Sequence, residues 1–374
     1  KLKEALGADG NPLATLLLAD TKEALRQAHW LAVGVSVKND KLRLKLVTDG
    51  QAPAAAKTLE FASPHGADEG IMPNLTVPGS LASLSLYRDL RAFYAAKDDL
   101  FPERTSGLIF FENMMGIFFS GIELTDGVLG ETKPDVRVVV AAQHYDPAVG
   151  TPTVQMPAFA TVLRLRHPQA FGETVEEAWQ KALGLVNFTR GQKALPGLII
   201  DHDSHAEVKY TLSYYRPPGD KDKTAIADRY NYRPTLARPG DYLVLSSTDG
   251  LAKDLIDALK RETAQGAKSS PAAHSLAELD GAALHAILLA NREHLISKNM
   301  LEKGNARDQA ESEIGTFLTL LSSLNHATLT MTRQEGRPQA ILELQLQAPK
   351  PAPEAGAGKS EIRNPKSETV KPSA

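Results

Sequence analysis

A short apolar segment that ends in Asp, Asn or Pro and leads into a helix recurs along the chain without keeping its sequence. It occupies residues 15–20, 84–89, 162–168, 243–249 and 287–291. Apolar runs of this length before a helix-starting residue are typical of buried strands that precede helices. Because the spacing is irregular, we predict a pseudo-repeat rather than a solenoid. The pattern constrains the architecture and indicates nothing about chemistry.

Alternating apolar and polar residues predict two antiparallel hairpins. One covers residues 32–46 with a turn at Asn39-Asp40, and the other covers residues 328–346 with a turn at 334–338. In residues 42–46, leucines alternate with Arg43 and Lys45, so one face is apolar and the other charged. The sequence therefore predicts an α+β fold with antiparallel or mixed sheets, helices packed on one face, and two related strand–helix–hairpin modules.

Proline positions and composition predict the domain boundaries. Residues 144–157 contain Pro147, Pro152 and Pro157, which separates a first module at 1–150 from a second at 158–347. Residues 348–374 form a tail of Pro, Ala, Lys and Ser with almost no apolar side chains. Such a segment cannot bury enough apolar surface to offset its ordering entropy, and we expect it to be disordered.

Composition excludes several classes of function. The chain has no cysteine, which removes disulfides, thiolate catalysis and Cys-ligated metals. Its net charge of −3 gives no global basic field for nucleic acid. No apolar run reaches the roughly 20 residues of a membrane span. We expect no cofactor, and membrane association only through a segment upstream of Lys1, where a signal peptide or lipid anchor could stand.

An apolar stripe within residues 107–120 is the first candidate site. Phe110, Met114 and Phe118 recur at helical spacing, and Met and Phe side chains adapt to irregular apolar ligands. The stripe is a candidate for one wall of a pocket for a lipid-like ligand. The alternative is a core helix packed against the sheet.

A polar cluster at residues 201–205 is the second candidate site. If this segment is a strand, Asp201, Asp203 and His205 share one face and could converge on a metal ion. That arrangement would indicate a metal-dependent hydrolase. The alternative is the polar turn of a hairpin, where Asp and Ser are common.

Tyrosines and arginines alternate within residues 210–233, a pattern that suits stacking on nucleic acid bases. Asp220, Asp222 and Asp228 interrupt the stretch, and the overall charge is negative. We therefore predict that nucleic acid is not a partner.

Two strand–helix segments resemble those of a known family. They are the strand at 240–248 with the helix at 251–259, and the strand at 158–166 with its helix. Over residues 80–347 the chain resembles a large, uncharacterised family of exported or membrane-anchored bacterial proteins, known only as a domain of unknown function. The resemblance implies an α+β scaffold in the bacterial envelope or periplasm and supplies no active-site residues.

These observations favour a non-enzymatic envelope protein that binds or scaffolds an unidentified protein or apolar ligand. Such a scaffold would expose an apolar patch or an unpaired sheet edge. A carrier of an apolar ligand would instead have a cavity beside the helix at 107–120. A metal-dependent hydrolase is the third hypothesis and requires three converging ligands.

Overall fold

One antiparallel sheet dominates the computed structural model, which describes residues 11–18, 21, 24–25, 28–49, 57–64, 69–219, 226–271, 273–334 and 337–348. The strands are β1 (Leu31–Lys38), β2 (Lys41–Thr48), β3 (Gly70–Ile71), β4 (Ser80–Tyr87), β5 (Thr132–Ala141), β6 (Ala158–Leu165), β7 (Ile199–His205), β8 (Val208–Tyr214), β9 (Thr235–Ala237), β10 (Tyr242–Ser246), β11 (Ser270–Pro271), β12 (Ala273–Asp280), β13 (Leu324–Gln334) and β14 (Arg337–Leu346). β3 and β11 form a small separate sheet.

Helices connect the strands and cover parts of the sheet. They are α1 (Pro12–Leu18), α2 (Leu90–Ala95), α3 (Lys97–Leu100), α4 (Thr105–Phe118), α5 (Pro168–Gln192), α6 (Asp249–Gln265), α7 (Gly281–Ala290), α8 (Arg292–Lys303) and α9 (Arg307–Leu321). The predicted α+β class with an antiparallel sheet is confirmed.

The sheet has the strand order β1-β2-β14-β13-β12-β4-β5-β6-β10-β9-β8-β7. β2 pairs with β14 and β4 pairs with β12. Groups of strands from the two predicted modules therefore lie side by side within one sheet. The predicted boundary at 144–157 connects β5 to β6, which are neighbouring strands. A two-module repeat is not evident in this order. Of the predicted disordered tail at 348–374, all but residue 348 lies outside the described residues.

Helices pack on both faces of the sheet around β6 and β10, which corrects the prediction of helices on one face only. α6 places Leu255 and Ile256 against one face, in a core with Val244. α5 places Phe171 and Val175 against the other, in a second core with strand residues from β6, β9 and β10. β9 and β10 are therefore buried on both sides.

Three of the five apolar segments are strands that lead into helices, as predicted: β4 before α2, β6 before α5 and β10 before α6. The segments at 15–18 and 287–290 are instead helical and belong to α1 and α7. The Asn11 side chain accepts bonds from the amides of Leu13 and Ala14 at the start of α1. Both segments are rich in Leu, which favours helix once the first turn is capped.

Both predicted hairpins are confirmed. β1 and β2 join through Asn39 and Asp40, with φ of 51° and 58°. Two consecutive positive φ values are those of a type I′ turn, whose twist matches that of the strands. β13 and β14 form the second hairpin. β14 pairs with β2, which brings the two hairpins together.

Candidate apolar binding face

Seven neighbouring strands present three in-register rows of aliphatic side chains on one face of the sheet. Each strand contributes three alternate residues, and the pairing register places them directly opposite one another. We call this set the apolar face. Its members are Val33, Val35, Val37, Leu42, Leu44, Leu46, Ala340, Leu342, Leu344, Ala327, Leu329, Met331, Ser275, Ala277, Leu279, Ala82, Leu84, Leu86, Val136, Val138 and Val140.

The apolar face is large and almost free of polar groups. Six strand spacings span about 29 Å across it, and three rows of alternate residues span about 14 Å along the strands. Ser275 is its one polar residue, and its hydroxyl accepts a hydrogen bond from the buried guanidinium of Arg88. The remaining side chains are aliphatic or thioether groups.

Solvent reaches much of this face. A cavity of about 360 Å³ over its centre is lined by strand residues alone: Ala82, Ser83, Leu84, Val138, Val140, Ala277, Glu278, Leu279, Ala327, Leu329 and Leu342. At the edge, Val35 and Val37 are 66% and 74% exposed. Leu86 and Val136 are buried, whereas Val33, in the same row, is 58% exposed. The face is therefore covered where β4 and β5 contribute to this row and becomes more open toward β1.

The predicted ligand stripe on α4 lies at the surface. This segment packs against the core that includes α5 through Leu108, Met115 and Phe119. Phe110 is 70% exposed, whereas Met114 and Phe118 are half-buried. Phe110 therefore faces outward rather than into an enclosed cavity. The apolar cavity described above is instead formed by the sheet.

The structure places Asp201, Asp203 and His205 on one face of β7, as predicted, but it does not join them. Asp203 accepts a hydrogen bond from the Tyr210 hydroxyl at 2.7 Å, and His205 Nε2 lies 3.0 Å from Asp257 Oδ2. The Tyr210 hydrogen bond also lowers the pKa of Asp203. Among the described residues, no group of three His, Asp or Glu side chains could hold a metal ion. The metal hypothesis has no support from this geometry.

The polar segment forms one strand of a hairpin rather than its turn. The turn that joins β7 to β8 is Ala206-Glu207, with φ of 47° and 66°. β7 is an edge strand, so the charges at 201–205 lie along an outer edge of the sheet. Charged side chains at such an edge oppose pairing with another strand.

Several tyrosines noted in the sequence line a separate cleft of about 170 Å³. Tyr214, Tyr215, Tyr230 and Tyr232 lie beside the start of α6. The π faces of some are occupied by arginines of the chain: the Arg229 guanidinium stands 5.8 Å from the Tyr215 ring centroid and 4.8 Å from that of Tyr230. These rings therefore contact a cationic side chain of the protein itself.

A buried charge network lies on the opposite face of the sheet from the apolar face. Arg137 donates to both carboxylate oxygens of Glu262, at 2.6 and 3.1 Å, and Tyr242 donates to the same carboxylate. Asp135 Oδ1 is 3.4 Å from Arg137 Nε. Burial raises the pKa of Asp135 despite this neighbouring cation. The network links β5, β10 and α6 and is structural in character.

The apolar face contains residues that sequence analysis did not assign to a site. Alternation in residues 32–46 and 340–346 was visible, but it indicates only that each strand has one apolar side. The face results from register between β2 and β14 and between β4 and β12, which are distant in sequence. The alternation of apolar and polar residues in each of the seven strands is visible in the sequence. That alternation does not reveal which strands are neighbours in the sheet.

Comparisons with known proteins identify no relative. No family model matches the sequence. No curated protein matches it either. A solved structure described as "Structure of crystal form I of TP0453" has 10% sequence identity and a TM-score of 0.26, over 73% of this chain and 77% of that chain. A similarity at that TM-score carries no argument about fold or function.

Within the described part of the chain, every helix is too short or too polar to span a membrane.

Proposed function

We propose that this protein is a non-enzymatic binding protein that holds an apolar, lipid-like ligand on the apolar face. The observation that supports the proposal is the cavity of about 360 Å³ over the sheet, which is lined mainly by Leu, Val and Ala of adjacent strands, with Ser83 and Glu278. Burying such surface is favourable by about 25 cal/mol per Å². A bacterial envelope location, expected from the sequence resemblance, is part of the same proposal.

The chemistry of the face favours an acyl chain over a protein partner. Protein interfaces are enriched in Tyr, Trp and Arg anchors, which fill pockets and form directed bonds. The apolar face has no aromatic or basic side chain among its members. An aliphatic chain needs no directed bond and gains from each methylene it buries, about 0.8 kcal/mol.

Binding of a long-chain fluorescent fatty acid tests the proposal, with native mass spectrometry to measure stoichiometry. Leu329→Asn places an amide in the centre of the face, and Ala277→Phe fills the cavity with a larger apolar side chain. The matched control is Thr330→Asn, because Thr330 is the next residue of β13 and points to the opposite face.

We expect stoichiometric binding by the wild type and by Thr330→Asn. Losing one leucine contact and exposing an amide should weaken binding at least tenfold in Leu329→Asn. Ala277→Phe should weaken it through steric exclusion while leaving the face apolar. Equal binding by all four proteins would place the fatty acid elsewhere. No binding by the folded wild type would overturn the proposal.

A further inference from the structure

The two outer edges of the large sheet differ in chemistry. The β7 edge has Asp201, His202, Asp203 and His205 in consecutive or alternate positions. The β1 edge reads Leu31-Ala-Val-Gly-Val-Ser-Val-Lys38, with one charge at its end and neither proline nor bulge. Charges, prolines and bulges are the usual protections of an exposed edge strand. Within the part of the chain that the structure describes, the β1 edge is long, regular and lacks these protections.

We propose that β1 pairs with β1 of a second copy of this chain, antiparallel and with Gly34 on the two-fold axis. In this register Leu31 lies opposite Val37 of the second copy, and Val33 lies opposite Val35. All four apolar residues of the strand are then paired, and Lys38 lies beyond the ladder. A symmetric antiparallel pairing is self-complementary, which is what a two-fold interface requires.

Both faces of the strand tolerate this pairing. On the side away from the apolar face, β1 carries Ala32, Gly34 and Ser36, which are too small to clash across the axis. On the other side, cross-strand pairs of β-branched residues contribute roughly 0.2–1 kcal/mol each. No like charges lie directly opposite one another in this register.

Pairing would join the apolar faces of the two copies into one surface. Val33, Val35 and Val37 are the outermost members of the face and are 58% to 74% exposed. The dimer surrounds them with a neighbouring strand on each side. This arrangement does not depend on what the apolar face binds, so it stands or fails separately from the proposed function.

The expected dimer is weak, because seven paired residues span only about 24 Å and bury less than a standard interface of about 1,600 Å². We expect a concentration-dependent monomer–dimer equilibrium with Kd in roughly the micromolar range. Analytical ultracentrifugation over a concentration series measures it. Val35→Lys should abolish the dimer by placing a charge in the ladder, whereas Ser204→Lys on β7 should leave it unchanged.

An engineered disulfide tests the register, because the chain has no native cysteine. Opposed residues in antiparallel strands have Cα atoms about 4.5–5.5 Å apart, within disulfide range. A Cβ added at Gly34 meets only ordinary contacts, 3.8 Å from Lys45 O. Gly34→Cys should therefore give a disulfide-linked dimer under mild oxidation, and Ser204→Cys should not.

A monomer at all concentrations, with no disulfide at Gly34→Cys, would overturn the inference. Equal disulfide formation by Gly34→Cys and Ser204→Cys would also overturn it, because random collisions would then explain both. A disulfide at Val35→Cys but not at Gly34→Cys would replace the proposed register with one centred on Val35.

Discussion

The ion pair between Arg137 and Glu262 is buried, and its disruption should be costly. Arg137 is 0% exposed and Glu262 is 9% exposed. Glu262→Leu removes two charge-assisted hydrogen bonds, at 2.6 and 3.1 Å, and the acceptor of the Tyr242 hydroxyl. It also leaves a charged guanidinium in the interior. Breaking a buried pair from one side costs about 3–5 kcal/mol, which we expect for this variant.

Replacing Arg137 instead of Glu262 should lower the free energy of unfolding further, because two carboxylates depend on the same guanidinium. Asp135 lies 3.4 Å from Arg137, and both its carboxylate oxygens lack a hydrogen-bond partner. Arg137→Met leaves Asp135 and Glu262 near each other without this cation between them. We expect a loss of about 5 kcal/mol or more at neutral pH. The loss should shrink as pH falls, because burial raises the pKa of Asp135 and protonation then removes its charge.

Urea unfolding, followed by the fluorescence of Trp30 and Trp179, measures these free energies. The double variant Arg137→Met/Glu262→Leu should lose less than the sum of the single variants, by about 2 kcal/mol, because no pair remains to be broken. The control is Glu177→Gln, which removes an exposed pair with Lys181 and should not change the midpoint. A Glu262→Leu midpoint equal to the control, or a milder effect of Arg137→Met than of Glu262→Leu, would refute the reasoning.

Other positions give predictions of different kinds. Gly281→Ala should destabilise the protein by about 1–3 kcal/mol or more in thermal unfolding, because the new Cβ would lie 2.1 Å from Leu324 O. Gly315→Ala, in open space within α9, should instead stabilise it by about 0.5–1 kcal/mol. Burial, and then the charge of Arg88, lower the pKa of His274 to about 3. As the pH falls, His274 is protonated in the unfolded state before it is protonated in the folded state. The free energy of unfolding should therefore fall by about 1.4 kcal/mol for each unit by which the pH is lowered from 6.5 to about 3. Urea midpoints of a His274→Gln variant should lack this component, and an unchanged pH profile would count against it. Arg88→Met should release α1, whose carbonyls at Leu16 and Leu17 accept from that guanidinium. Faster hydrogen exchange confined to residues 12–18 would support this, and unchanged exchange would contradict it.

Local patterns in the sequence predicted the elements whose conformation is decided locally. Asn39-Asp40 fixes a tight turn, and Pro168 begins a helix at its favoured first position. The prediction that the Leu-rich runs at 15–18 and 287–290 are strands was wrong, because an apolar run of four residues suits a strand or a helix equally. Capping by Asn11 and by Asp280 decides those two cases in favour of helix.

The site depends on pairing that local patterns do not encode. Leu44 and Leu342 are nearly three hundred residues apart, yet they lie opposite one another on the apolar face. Each strand shows its own alternation, but the strand order shows whether the apolar sides combine. For α4, the sequence predicted the helix correctly but not which side of it faces the core. Met115 packs in the core, and Phe110 therefore points outward.

The position of β14 between β2 and β13 has a consequence for how the protein is made. The β1–β2 hairpin leaves the ribosome well before β14, which is its neighbour in the sheet and the last of the described strands. At 5–20 residues per second, the hairpin waits on the order of tens of seconds with both outer edges unpaired and its apolar side open to water. During that interval the nascent chain presents the kind of segment that chaperones bind. Slowing the ribosome between β2 and β14 should therefore raise aggregation more than slowing it after β14.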